Sequence, residues 1–137
     1  MALITSAGRY GLRAMFELAN HDGTTPMDAT TIAKNADIPK NYLNQLMIKL
    51  KKADLIRSIR GKNGGFVLGK DPKEIRIKDI LLALEGDMFV SDKSSNESFL
   101  ELFFLDINEK IKKLLDISLE DLKKYQDIYT KSFNYSI

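Results

Sequence analysis

Cysteine is absent from all 137 residues. Its absence removes disulfides, thiolate nucleophiles and cysteine-held zinc or iron–sulfur centres together. Histidine is nearly absent as well, since His21 is the sole one, and metal or triad chemistry built on imidazole has almost no material. His21 falls just past an expected helix end, where a capping or surface role suits it. No paired carboxylates, nucleophile or ligand cluster accompanies it, so the chain is not read as an enzyme and no cofactor is expected. No apolar run approaches the ~20 residues needed to cross a bilayer. The first residues also lack the basic-then-apolar layout of a secretory signal. The expectation is a cytoplasmic protein with no membrane partner. At 44% apolar composition the chain can fill one core, with or without an extension.

What is present is an uneven distribution of charge. The net charge is only +2, yet residues 36 to 63 carry seven Lys and Arg against two Asp, a local balance of +5. Residues 85 to 137 carry seven lysines against eleven acids, a local balance of −4. A polyanion would be drawn to the first region while the acidic half faces away. A solvated lysine face on an ordinary helix would show the same charge.

The basic region contains two patterns in succession. Over PKNYLNQLMIKLKKADLI, Tyr42 or Leu43, Leu46, Met47, Leu50 and Ala53 recur at the spacing of an inward helix face. Lys40, Asn41, Asn44, Gln45, Lys49 and Lys52 then fall outside. Behind it, LIRSIRGKNGGFVLG alternates about a Gly-rich centre, the pattern of a two-stranded hairpin. Its loop carries Arg60, Gly61, Lys62, Asn63, Gly64 and Gly65. Glycines there would permit positive backbone angles and leave the backbone bare toward a phosphate, while Arg60 could enter a narrow minor groove. The loop precedes a strand and lacks a Gly-Lys-Ser/Thr ending, so it is not a nucleotide-binding loop.

Upstream, Ala7, Gly11, Ala14, Met15 and Leu18 predict a helix over 6–20, with Thr5 or Ser6 as cap and Gly23 as stop. A short helix follows over 29–36. Asp37, Ile38 and Pro39 then leave the room of a helix-turn-helix corner, and Pro39 suits the opening of the next helix. That helix would place Lys40, Asn41, Asn44 and Gln45 toward a major groove, where Asn and Gln can bond both N6 and N7 of adenine. Downstream, a helix is expected over 77–85 and a loop over 87–98. A longer amphipathic helix then runs from Phe99, with Leu100, Phe103, Phe104, Ile107, Ile111 and Leu114 on one seam. Phe99, Leu102 and Leu105 widen that stripe beyond what one small domain covers. A second copy would bury it, and a two-fold protein suits a palindromic site. Folding back on its own domain is the other way to bury it. Ser118 and Asp121 resemble a capping box opening a last helix to about Tyr129.

Taken together, GRYGLRAM, IAKNADIP and YLNQLMIKLKKADLIRSIRGKNGGFVLGKDPKEIRIKDILLALEG resemble the Rrf2 family of bacterial winged-helix transcription regulators. The likeness is close over residues 3 to 86 and looser beyond. It implies a winged helix-turn-helix over 1–86, a loop over 87–98 and a dimerisation part over 99–137. It also implies a homodimer on a pseudo-palindromic operator of double-stranded DNA. Asn41 and Gln45 fall where family members contact bases, and Arg60, Gly61 and Gly65 fall on the wing. Asn44 stands where iron–sulfur members carry an acid, so base preference should differ. Many members hold three cysteines in the loop matching 87–98, and this chain holds none.

The resulting expectation is a sequence-specific DNA-binding regulator, in the sense of a repressor. It would be controlled by a small-molecule or protein effector, with Met88, Phe89 and Val90 marking one possible site. The alternative is a winged-helix protein-interaction module with weak or lost DNA binding.

Overall fold

Which face of each helix turns inward follows from apolar residues at three-and-four spacing. The structure, a computed structural model, describes residues 2–21, 25–87, 89–91 and 98–135. Its elements are α1 (Ser6–Asn20), α2 (Ala29–Ala36), α3 (Lys40–Lys52), β1 (Ile56–Ile59), β2 (Gly65–Leu68), α4 (Ile77–Glu85), α5 (Ser98–Leu114), a 3₁₀ turn (Leu119–Asp121) and α6 (Leu122–Tyr135). This is the mainly helical chain with one small hairpin that the pattern predicts. Gly23, Met88, most of the expected loop and the last two residues lie outside the described residues.

Ala14, Met15 and Leu18 of α1 meet Ile32 of α2, Leu43, Leu46, Met47 and Leu50 of α3, and Ile80, Leu81 and Leu84 of α4 in one core. At the crossing of α1 and α4, a β-carbon on Gly11 would lie 2.0 Å from Leu84 Cδ1, so any larger residue there displaces the Leu84 side chain. The start of α1 is held differently from the expected Thr5 or Ser6 cap. Thr5 makes no capping bond within α1, and its backbone N–H and hydroxyl both donate to the Glu85 carboxylate at the end of α4.

Both helices of the helix-turn-helix end in the same device. Asp37 and Asp54 adopt left-handed φ values of 55° and 60°. Ile38 N–H bonds Ala33 O at 2.9 Å, and Leu55 N–H bonds Leu50 O at 3.1 Å, each closing a Schellman turn. The aliphatic residue after each Asp is buried. This corrects one expectation: Ala53 is exposed, because the chain reverses at Asp54 and Leu55 takes the inward place. At the other end of α2, Asp28 caps by accepting from Thr31 N–H at 2.7 Å. That backbone bond, with the Thr31 hydroxyl, holds the Asp28 carboxyl below its ordinary value of 3.8.

β1 and β2 pair antiparallel, with Ile56 opposite Leu68 and Ile59 opposite Gly65. A second pairing anchors the hairpin: Met27 and Phe66 exchange backbone bonds of 3.0 and 2.8 Å. The C-terminal segment returns to the same core. Leu119 is fully buried, its N–H bonds Ile75 O at 2.8 Å, and Ile77 N–H bonds Ile117 O at 2.8 Å. Ser118 and Asp121 form the expected reciprocal capping box, at 2.9 and 3.2 Å. It opens the 3₁₀ turn first, and α6 runs on to Tyr135, past the expected end at Tyr129.

Replacing Gly11 by Ala should force Leu84 off its position and cost about 1–3 kcal/mol, as overpacked cores do. Urea denaturation checks this, and an unchanged midpoint would show that the crossing has slack.

Candidate nucleic-acid interface

α3 has an exposed face because its other face is saturated. With Leu43, Leu46, Met47 and Leu50 inward, Lys40, Asn41, Asn44, Gln45, Lys49 and Lys52 are all exposed, as their spacing predicts. Among the described residues, no hydrogen bond or ion pair engages the side chains of Asn41, Asn44, Gln45 or Lys52. The first turn of α3 is steadied from behind. Tyr42 meets Tyr10 of α1 edge-on at 5.5 Å, and the Arg13 guanidinium lies 5.5 Å from the Tyr10 ring centre. α3 therefore presents amides and ammonium groups from a helix whose backbone is braced on three sides by α1, α2 and α4.

Lys49 differs from its neighbours. Its ammonium reaches Leu84 O at 3.4 Å, at the carbonyl end of α4, where a cation is favoured by the helix dipole. It stands at the edge of the exposed face and is partly committed within the chain.

The wing loop holds Arg60, Gly61, Lys62 and Asn63 exposed at its tip. Gly64 N–H closes the turn onto Gly61 O at 3.0 Å. The three glycines divide by role. Gly61 has φ +118° and open space where a β-carbon would be, so it leaves the backbone bare toward solvent. Gly65 also has positive φ, +153°, but a β-carbon there would lie 2.5 Å from Met27 O, so it makes room for the Met27–Phe66 pairing. Gly64 does not show the positive angle expected of it, and a β-carbon there would press on Ile59 O at 2.2 Å. Gly61 thus opens to solvent, while Gly64 and Gly65 are glycines that the fold of the wing itself requires.

Two features escaped the sequence reading. Ile48 is 68% exposed on the polar face of α3, where the spacing predicts only polar residues outward. On α6, Tyr125, Ile128, Tyr129 and Phe133 are exposed at helical spacing, with the Tyr129 and Phe133 rings stacked at 6.5 Å. The signal was in the sequence, since LKKYQDIYTKSFNY carries that spacing.

On α5 the predicted seam divides. Leu100, Phe104, Ile107 and Ile111 are half-buried, while Phe103 and Leu114 are exposed, with Phe99 at 74% and Leu102 at 69%. Among the described residues, α5 is tied to the chain before it through Asn108, which accepts from Val90 N–H, and Lys112, 3.6 Å from Asp87, and its apolar stripe is only partly covered. No helix of the described chain is long and apolar enough to cross a membrane.

Comparison with known proteins gives a consistent result. Residues 4–125 match the profile of the Rrf2 family, described as an iron-dependent transcriptional regulator. The chain is 37% identical to the HTH-type transcriptional regulator CymR of Bacillus subtilis over 98% of its own length and 99% of that protein's. It is 31% identical to the regulator IscR of Photorhabdus laumondii, covering 91% of this chain and 81% of that one. A solved structure of CymR, the global cysteine regulator of B. subtilis, superposes with a TM-score of 0.77 at 38% identity over 91% of this chain and 98% of that one. T. potens IscR superposes at 0.75 with 33% identity, over 90% and 87%. The iron dependence in the family's description does not fit these residues: the chain holds no cysteine and one histidine. No group of three or more His, Cys, Asp or Glu stands together among the described residues. Through this match across nearly its whole length, on a winged helix-turn-helix with an exposed polar face on α3, the chain belongs to the Rrf2 family of transcriptional regulators.

Proposed function

We propose that the protein binds a pseudo-palindromic DNA operator as a homodimer and represses by occupying it. In this reading Asn41, Asn44 and Gln45 meet base edges in the major groove. Lys40 and Lys52 meet phosphates there, with Lys49 in a lesser share. Arg60, Lys62 and Asn63 carry the wing into the flanking groove, with the bare backbone at Gly61 against phosphate. The observation that carries this reading is the set of exposed amide side chains on α3 that have no partner among the described residues. Amides presented from a braced helix keep a fixed spacing that suits a fixed row of base edges. The local +5 of residues 36 to 63 supports the same assignment.

The dimer rests on α5. Phe99, Leu102, Phe103 and Leu114 are more than half exposed, and the aromatic stripe of α6 adds a second uncovered face. A second copy crossing through Leu100, Phe103, Phe104, Ile107, Ile111 and Leu114 would cover them. Control by a small molecule or a protein partner belongs to this reading too. Beside the joint between α4 and α5 lies a cavity of about 230 Å³ lined by Lys78, Asp79, Leu82, Asp87, Lys112 and Leu115. Val90, just beyond it in the chain, is tied to Asn108 of α5 through a 2.8 Å bond from its N–H.

Selection from random duplexes at two salt concentrations tests the whole reading. Enrichment of a two-fold symmetric sequence is expected, and salt-sensitive binding without enrichment would move the protein-interaction alternative ahead. On the enriched operator, Asn41→Ala or Gln45→Ala should cost about 1–3 kcal/mol and leave non-specific binding unchanged. Unaltered discrimination in the double variant would refute the groove assignment. Ile107→Asp should give a monomer in sedimentation, against a dimer for the parent chain. For the effector, calorimetric titration with a panel of small metabolites should find one whose heat disappears in Leu82→Trp, which fills the cavity. Heat that persists in that variant would assign control elsewhere.

A further inference from the structure

We propose that Ile48 is a specificity-determining residue that recognises the 5-methyl group of a thymine in the major groove. The inference rests on α3 being the reading helix, and it adds a contact of a different chemical kind to the amides. Ile48 is 68% exposed. Its neighbours at helical spacing are Asn44, Gln45, Lys51 and Lys52, all exposed polar or charged residues. A lone exposed aliphatic is common on protein surfaces, so position rather than exposure carries the argument. The residue lies inside the polar face, three positions beyond Gln45 and four beyond Asn44.

Geometry then restricts what it can touch. Three to four residues of helix advance about 4.5–6 Å, and base pairs follow one another every ~3.4 Å. Ile48 therefore addresses a base about one to two pairs from the one that Gln45 faces. Among the base-pair edges of the major groove, the thymine methyl is the apolar group. A β-branched side chain on a helix is held in one preferred rotamer, so Ile48 meets that methyl from a fixed direction at little entropic cost. The surrounding amides and ammonium groups argue against a protein partner at this point, because a protein-docking patch is contiguous and apolar.

The test uses the selected operator with its thymines replaced singly by deoxyuridine, which removes the methyl and leaves base pairing intact. The wild-type protein should lose about four-fold in affinity at one thymine of each half-site, the weight of one buried methyl-sized group. Ile48→Ala should bind that duplex and the parent operator equally, while Asn41→Ala should keep the methyl preference. Because Ile48 is exposed, its truncation leaves the core untouched. A wild-type protein indifferent to every deoxyuridine, yet still separating operator from scrambled duplex, would overturn the role of Ile48 and leave the DNA reading standing. A methyl preference that survives Ile48→Ala would overturn it equally. Failure to select any operator would overturn both.

Discussion

Burial of Leu43, Leu46, Met47 and Leu50 sets the rotation of α3 about its own axis, and every assignment on its outer face depends on that rotation. Each fully buried aliphatic side chain contributes about 1.5–3 kcal/mol. The preferences of exposed amides for one orientation are worth a few tenths. A turn of one residue, about 100° on a helix of 3.6 residues per turn, would expose part of that apolar set for no comparable return. The core therefore decides which side chains are presented, and Asn41, Asn44, Gln45 and Ile48 are outward because their neighbours are inward. The paired Schellman ends at Asp37 and Asp54 fix where the helices of the motif stop, so the same constraint positions α3 along its axis as well.

The wing is tied to this frame by short-range backbone contact rather than by a large core of its own. A two-stranded hairpin alone is marginal in water. Here Met27 supplies a third backbone to pair with Phe66, and Ile56 and Leu68 join the main core. The side chains of Arg60, Lys62 and Asn63 at the tip are exposed and can vary in chemistry at little cost to the fold, whereas Gly61 is held by its φ of +118°. The C-terminal half shows the opposite balance. Leu119 and its capping box are locked into the core, whereas α5 and α6 carry apolar faces that the single chain leaves exposed. Such faces mark where another surface is required, and the proposed second copy meets that requirement with the fewest assumptions.

Most elements were legible in the sequence because each is short, strongly periodic and bounded by a recognisable residue: Pro39 before α3, Gly86 after α4, Ser118 before the last turn. Where such a boundary was lacking, the reading fell short. α6 has no glycine or proline to stop it after Tyr129, and periodicity alone does not mark an end. Ala53 matched the apolar spacing of α3, but the left-handed turn at Asp54 broke the period. Pairings between distant residues left no local trace. Thr5 with Glu85, Met27 with Phe66 and Lys49 with Leu84 O each join segments at least 35 residues apart. For the same reason the close approach of Gly65 to Met27 O is invisible in the sequence, where only its place on the wing can be read. The exposed polar face of α3 was legible in the spacing, and the exposure of Ile48 within it was not, because an apolar residue on a polar face carries no periodic signal.

Hydroxyl-radical footprinting of the protein on its selected operator tests the central claim most directly. The account predicts two protected clusters related by two-fold symmetry and spaced by about one helical turn, ~10 base pairs, or a multiple of it. Each would be flanked by minor-groove protection from the wing. A single asymmetric patch, or uniform weak protection along the duplex, would contradict it.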